Sequence, residues 1–257
     1  MSLETALLPE GVSAATAAIV VAASFFTAAL TASFGLGGGL ALLAIMGAVM
    51  PPAAVIPVHG VAQLGSNASR LFLQRNSVVW PIVLWFMAGS AVGAIVGARL
   101  FVEVPEAVLQ ALIGAFVLMS IHGPKPRGFA PGATSFFATG AASAVLSMFV
   151  GATGPIAAAM VSVAGLDKLK TVATHAGAMT AQHALKSVAF GFVGFAYADW
   201  AAIIAAVVVT GFLGAAAGTR LLRSMPEERF RRGFKLVLTF FGCYLIGTAL
   251  LQLLRAN

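Results

Sequence analysis

Two runs of polar side chains interrupt an otherwise apolar sequence, and their residue types suit the binding of an anion. The first run comprises His59, Gln63, Asn67 and Arg70, and the second comprises His175, Gln182, His183 and Lys186. The spacing of His59, Gln63 and Arg70, and that of His175, Gln182 and Lys186, puts each set on one face of a helix. Because polar groups inside a bilayer are costly and usually face a cavity, we predict that both faces bind substrate. The alternative is hydrogen bonding between helices, with Arg70 and Lys186 reaching the membrane interface.

Each polar run follows a glycine-rich break in an apolar segment, at Gly35–Gly39 and at Gly151–Pro155. A helix that starts inside the membrane presents free N–H groups and a partial positive charge, which attract anions. Hydroxyl groups near the breaks add further donors. The substrate-binding residues predicted here are Ser33, Gly37, Gly38, Gly39, Thr153 and Gly154. The alternative is that the glycines only allow close helix packing.

The same residues argue against other chemistries. His175 and His183 are eight positions apart and not four, and no acidic residue accompanies them, so we expect no metal site and no cofactor. The absence of a mid-segment carboxylate argues against a sodium site and an acidic proton relay, and leaves histidine as the group that would couple transport to protons. An intramembrane enzyme would need a nucleophile with a base, and no GxSG motif is present, so we predict that the chain is not an enzyme.

The composition predicts an all-α polytopic membrane protein that forms one transmembrane domain over 1–257. Hydrophobic residues make up 60% of the 257 residues and charged residues 9%, against about 45–50% and about 25% in soluble domains. A spanning helix needs about 20 apolar residues, which gives roughly eight to ten membrane segments. The apolar runs are 12–33, 38–50, 53–69, 78–101, 106–121, 133–150, 155–165, 171–190, 198–222 and 233–254. The runs 38–50 and 155–165 are too short to cross, so we predict half-helices that return from within the bilayer.

The remaining charge and cysteine patterns agree with a membrane location. The net charge of +7 comes from bases in short loops, where they indicate membrane topology, so membrane lipid is an expected partner and nucleic acid is not. Cys243 is the single cysteine, which excludes an intrachain disulfide. The residues Met1 to Gly11 lack the basic start of a signal peptide, and we expect no cleavage.

The chain repeats itself, which predicts two structurally related halves. When the sequence is aligned with itself at a shift of 116 positions, Gly35 aligns with Gly151, and His59 aligns with His175. Later matches need a shift of 121, which places Arg99 on Arg220. We therefore predict repeats at 12–121 and 133–254, joined by the linker 122–132.

The basic residues favour an inverted orientation of the two repeats. If each half makes an odd number of net crossings, twelve of the 15 bases share one side, in the loops 70–77, 122–132, 166–170 and 220–235. The competing arrangement divides them nine to six. The rule that cytoplasmic loops are basic favours the first arrangement, with both termini outside.

These motifs together resemble the TauE/SafE family, the sulfite exporters. The resemblance rests on the order and doubling of several short motifs and covers nearly the whole chain. They are Gly35-Leu-Gly-Gly-Gly39, Gly93 to Gly97-Ala-Arg99-Leu, Pro105-Glu106, Gly151-Ala-Thr-Gly-Pro155, Lys170-Thr-Val-Ala-Thr-His175, Gly218-Thr-Arg220-Leu and Pro226-Glu-Glu. The family moves sulfite and organosulfonates, so the likeness implies a small sulfur-containing anion as substrate.

We therefore predict a secondary transporter of the inner membrane that exposes one midplane anion site to each side in turn. The rival hypotheses are a channel-like anion pore, an intramembrane enzyme, and a subunit that only supports a partner. Saturable flux and counterflow distinguish a transporter from a pore.

Overall fold

The computed structural model is helical throughout the part of the chain that it describes, residues 8–34, 37–101, 105–123, 132–162, 164–221 and 227–256. No strand occurs in these residues, so the all-α fold is confirmed. Short 3₁₀ turns lie at Arg75–Ser77 and Tyr197–Trp200. The described α-helices are α1 (Ala14–Phe34), α2 (Gly38–Val49), α3 (Pro52–Gln74), α4 (Trp80–Phe101), α5 (Glu106–His122), α6 (Ala133–Val150), α7 (Gly154–Ser162), α8 (Lys168–Phe192), α9 (Ala201–Leu221) and α10 (Glu227–Ala256).

The apolar runs predict most helix ends to within three residues, and the larger differences have local causes. Helix α10 begins at Glu227, six residues before the apolar run that starts at 233, and its acidic first turn suits a helix N-terminus. Helix α3 continues to Gln74, beyond the predicted 69. Arg70 therefore lies inside a helix, where it is buried, and assigning it to a basic loop was wrong.

Within the described residues, four helical stretches are long and apolar enough to cross a membrane, Ala14–Ala32, Trp80–Phe101, Ala133–Val150 and Tyr197–Ala217. Helices α3 and α8 are longer than all four, at 23 and 25 residues, but their polar faces lower their hydropathy. These two polar helices pack against each other, and their polar side chains Asn67, His59, Gln182 and His183 are buried.

Helices of the two halves of the chain interleave. Helix α4 packs on α6, and α1 packs on α9, so the fourth helix of each half lies against the first helix of the other. Glycines bring the backbones together, since a Cβ on Gly89 would overlap the Phe137 carbonyl and one on Gly214 the Phe25 carbonyl. Close approach of this kind is typical of glycines at contacts between membrane helices. The repeat bounds and the inverted orientation stay predictions.

Candidate functional site

Both glycine breaks contain a residue whose backbone conformation favours glycine. Gly37 precedes α2 with φ of 104°, and Gly151 follows α6 with φ of 79°. L-residues with a side chain rarely adopt this region. The predicted residues Gly37, Gly38 and Gly39 thus form the start of α2, and Thr153 and Gly154 form the start of α7. Ser33 lies near the end of α1, just before the first break. Its side chain lies outside the described residues, as do Gly35 and Leu36.

A histidine from the following helix contacts each break. His59 Nε2 lies 2.8 Å from the Gly39 carbonyl oxygen, and His175 Nε2 lies 3.2 Å from the Gly154 carbonyl oxygen. A carbonyl only accepts hydrogen bonds, so in both rings Nε2 must carry the proton and donate it. The other nitrogen of His59, Nδ1, is buried without a hydrogen-bond partner.

The polar faces of α3 and α8 meet between the breaks. The rings of His59 and His183 lie edge to face with centroids 6.2 Å apart. A Cβ on Gly60 would lie 3.0 Å from the Lys186 Cε atom, so the lysine stem crosses over α3. The structure thus brings both predicted helix faces together, beside both breaks.

Hydrogen bonds connect the second break to α8. The Gln182 side-chain nitrogen donates to Thr153 Oγ1 at 2.7 Å, and the Ser143 hydroxyl lies within hydrogen-bond distance of both Thr153 Oγ1 and Gln182 Oε1. The Lys186 ammonium donates to the Gly151 carbonyl at 2.7 Å. All four side chains are buried, so this half of the site is closely bonded.

The polar side chains of α3, beside the first break, make fewer hydrogen bonds than those of α8. The Gln63 amide packs on Gly39, because a Cβ there would lie 2.9 Å from Gln63 Oε1. Asn67 donates to the Gln63 carbonyl at 2.8 Å and accepts from Arg70 Nη2 at 2.7 Å. The Arg70 atoms Nε and Nη1 are buried and have no hydrogen-bond partner.

The site contains two buried cationic side chains and no carboxylate among the residues described around it. Arg70 is 8% exposed and Lys186 is 1% exposed. His183 lies three positions before Lys186 on α8 and is 2% exposed. The acidic residues of the sequence lie outside α3 and α8, at Glu4, Glu10, Glu103, Glu106, Asp167, Asp199, Glu227 and Glu228. Such a cluster attracts a small anion, because a buried charge needs a partner of opposite sign.

Sequence reasoning missed Ser143, which lies on α6 and contacts both Thr153 and Gln182. The repeat contains a signal for it, since the shift of 116 pairs Ser143 with Thr27. Thr27 borders the first break, where its carbonyl would overlap a Cβ on Gly38. A polar residue at the same place in both halves therefore marks the helix that faces each break.

Comparison with known proteins agrees with this architecture. Residues 20–245 match the family described as sulfite exporter TauE/SafE. A probable membrane transporter protein of Haemophilus influenzae is 29% identical over 114 residues, which are 42% of this chain and 45% of that protein. The chain thus spans less than half the length of this relative. No solved structure matches the chain.

Proposed function

The chain belongs to the sulfite exporter TauE/SafE family and is a multi-pass protein of the cell membrane, and we propose that it is a secondary transporter of sulfite or an organosulfonate. The two halves would rock around one central site and expose it to each side in turn. The protein then acts as a carrier and not as an enzyme. If transport is coupled to protons, His59, His175 and His183 are the groups that would carry them.

The observation that carries this proposal is that the starts of the two short helices α2 and α7 lie beside the contact between α3 and α8, the helices that hold the buried side chains of Arg70 and Lys186. The positive ends of α2 and α7 and the charges of Arg70 and Lys186 all favour an anion. The histidines place ring nitrogens beside both breaks, as the contacts to Gly39 and Gly154 demonstrate. An anion bound between them would contact both halves of the chain.

The test is flux of labelled sulfite into liposomes that contain the purified protein. We expect saturable flux, and we expect His59→Ala or His175→Ala to reduce it at least tenfold, because each removes a side chain that contacts a break. The matched control is His122→Ala, since His122 is exposed and bonds to Thr239 on α10, away from the breaks.

Counterflow separates this carrier from an anion pore. A carrier preloaded with unlabelled sulfite takes up labelled sulfite transiently against its gradient, whereas a pore does not. Wild-type flux in the double variant of His59 and His175 would contradict the site assignment. Absence of flux for sulfite and for sulfonates in the folded wild type would contradict the proposed function.

A further inference from the structure

The ring of His59 has one bonded nitrogen and one open nitrogen. Nε2 lies 2.8 Å from the Gly39 carbonyl oxygen, and a carbonyl only accepts hydrogen bonds, so Nε2 carries the ring proton. In the neutral ring the other nitrogen, Nδ1, then holds a lone pair. This atom is buried and has no hydrogen-bond partner. Because a buried acceptor without a partner is unfavourable, Nδ1 favours a hydrogen that would fill this position.

The other histidines beside the breaks share only one of these two features each. His175 also donates from Nε2, to the Gly154 carbonyl. His183 has a buried Nδ1 without a partner, and its ring lies edge to face with that of His59, with centroids 6.2 Å apart. Among the described contacts, His59 is the histidine that combines a fixed Nε2 proton with an open Nδ1.

A neutral His59 offers no hydrogen bond to an anion. The single N–H of the neutral ring is committed to Gly39, and the lone pair of Nδ1 repels the lone pairs of an anion oxygen. A proton on Nδ1 reverses this, because it turns the acceptor into a charged donor. An anion that contacts Nδ1 therefore has to bind together with a proton.

The surroundings of His59 disfavour that proton as long as no anion is present. The side chain is 0% exposed, and a charge that is buried without a partner is costly. No Asp or Glu occurs in the sequence of α3 or α8 to balance a protonated ring. The Lys186 side chain passes the next residue, since a Cβ on Gly60 would lie 3.8 Å from Lys186 Nζ, and a basic group there does not stabilise a second positive charge.

Other ionisable groups lie on the elements packed against α3, and two of them are neighbours of His59. The sequences of α2 and α6 contain no ionisable side chain. The remaining groups are Lys168, Lys170, His175, His183 and Lys186 on α8, Glu106 and His122 at the two ends of α5, Arg220 near the end of α9, Arg75 in the turn after α3, and Arg70 on α3 itself. Described contacts place His183 and Lys186 beside His59 or Gly60, so these two are the alternative positions for a proton.

We propose that the anion binds together with one proton from solution, and that His59 Nδ1 holds this proton. The proposal rests on the proposed function, since it concerns the anion site beside the breaks. The proton leaves the solvent and forms the Nδ1–H bond, and no bond of the anion breaks. By linkage, the anion and the proton raise the affinity for each other to the same extent. Such a carrier moves a proton with each anion, so a pH gradient across the membrane drives transport.

The test measures proton uptake when the purified protein binds sulfate or methanesulfonate, which both stay fully ionised near neutral pH. Titration calorimetry in two buffers of different ionisation enthalpy gives the number of protons taken up for each anion bound. We expect about one proton at about pH 8, where a free histidine is neutral. The dissociation constant of the anion should fall about tenfold from pH 8 to pH 7. Binding without proton uptake would overturn the proposal without any variant.

His59→Gln tests whether His59 holds the proton. The glutamine amide keeps a donor for the Gly39 carbonyl but does not titrate, so we expect weaker binding with a proton uptake close to zero. His183→Gln and Lys186→Met should each keep an uptake of about one proton. An uptake that persists in His59→Gln, or that disappears in one of the other two variants instead, would overturn the assignment to His59.

Flux under a pH gradient distinguishes this proposal from the proposed function. Liposomes that are more acidic outside than inside should take up labelled methanesulfonate faster than liposomes without a gradient, and His59→Gln should not respond. The control is His122→Gln, since His122 is exposed and bonds to Thr239. Saturable flux that ignores the gradient would overturn the proton and leave the proposed function intact. Lack of both binding and flux for every sulfur oxoanion would contradict the proposed function, and the proton proposal with it.

Discussion

The two glycine breaks are alike in their histidine contacts and different in their cations. His59 and His175 each donate to a carbonyl at the start of the half-helix, at 2.8 and 3.2 Å. The cations occupy matching positions, Arg70 and Lys186, under the shift of 116. Lys186 binds a break carbonyl across the site, whereas Arg70 binds Asn67 of its own helix and keeps two nitrogens unbonded.

Corresponding positions in the two halves therefore differ in their hydrogen-bond partners. Thr153 and Gln182 form a closed network with Ser143, so the second break is fixed to α8 by side chains. A precise site needs such a rigid frame. In the first half, Arg70 Nε and Nη1 have no hydrogen-bond partner, as we expect of a side chain that binds the proposed anion. We therefore expect substitutions in the network of Ser143, Thr153 and Gln182 to reduce stability, and those at Arg70 to reduce binding.

The largest expected effect comes from Gly38, because the start of α2 has no room for a side chain. A Cβ there would overlap the Thr27 carbonyl and the Thr31 hydroxyl. Gly38→Ala should therefore lower the melting temperature by about 5–10 °C, since overpacking against backbone costs about 1–3 kcal/mol or more. The measurement is thermal unfolding in detergent.

The control for this change is Gly247→Ala on α10, where nothing lies within 4 Å of the added Cβ. We expect no loss of stability there, because alanine favours a helix over glycine. A Gly38→Ala protein as stable as Gly247→Ala would show that the first break is not held by this close approach.

The next largest effect tests the closed network of the second half. Gln182→Leu removes the donor to Thr153 and the acceptor of the Ser143 hydroxyl. Leaving buried polar groups with fewer partners costs about 1–3 kcal/mol, so we expect a fall of about 3–8 °C in melting temperature. The same substitution at Gln110 is the control, because Gln110 Oε1 is buried without a partner. If Gln182→Leu and Gln110→Leu lower the melting temperature equally, the hydrogen bonds of Gln182 do not stabilise the second break.

The contacts between the histidines and the breaks could be predicted because the sequence repeats itself within the chain. Gly38 and His59 are separated by the same number of residues as Gly154 and His175. Because these two stretches have equal length, each histidine lies beside the break that precedes it. The hydrogen bonds to Gly39 and Gly154 demonstrate this. The helices were predictable for a simpler reason, since runs of apolar residues in a membrane must pair their backbone groups internally.

The hydrogen-bond partners could not be predicted in the same way. Equivalent positions in a repeat do not specify which atoms meet, and Gln63 and Gln182 are not related by the shift at all. Lys186 can bond to Gly151 because its side chain passes close to α3 at Gly60. This contact joins segments that are far apart in sequence, so the sequence does not predict it. The spacing of His59, Gln63 and Arg70 predicted one helical face, whereas the count of basic loop residues placed Arg70 outside the helix; its burial within α3 agrees with the first prediction.

The smallest expected effect concerns the starts of α3 and α8, the helices that contain the two polar faces. Asp167 caps α8, since its side chain accepts a hydrogen bond from the Lys170 backbone N–H at 2.9 Å. Helix α3 begins after Pro51 without a side-chain cap. Asp167→Ala should therefore lower the melting temperature slightly, by a few degrees at most, with Asp199→Ala as the control at another exposed carboxylate.

The pH dependence of the melting temperature tests whether the cap depends on the charge of Asp167. The Lys170 backbone N–H and the nearby Lys170 charge lower the pKa of Asp167 below its ordinary value. A lowered folded pKa means that the ionised group stabilises the fold at pH values above about 4, its unfolded pKa. That stability is lost as the pH falls further, through the folded pKa. The melting temperatures of wild type and Asp167→Ala should hence differ at pH 7 and converge below pH 4, whereas a constant difference would mean that the cap does not depend on the charge of Asp167.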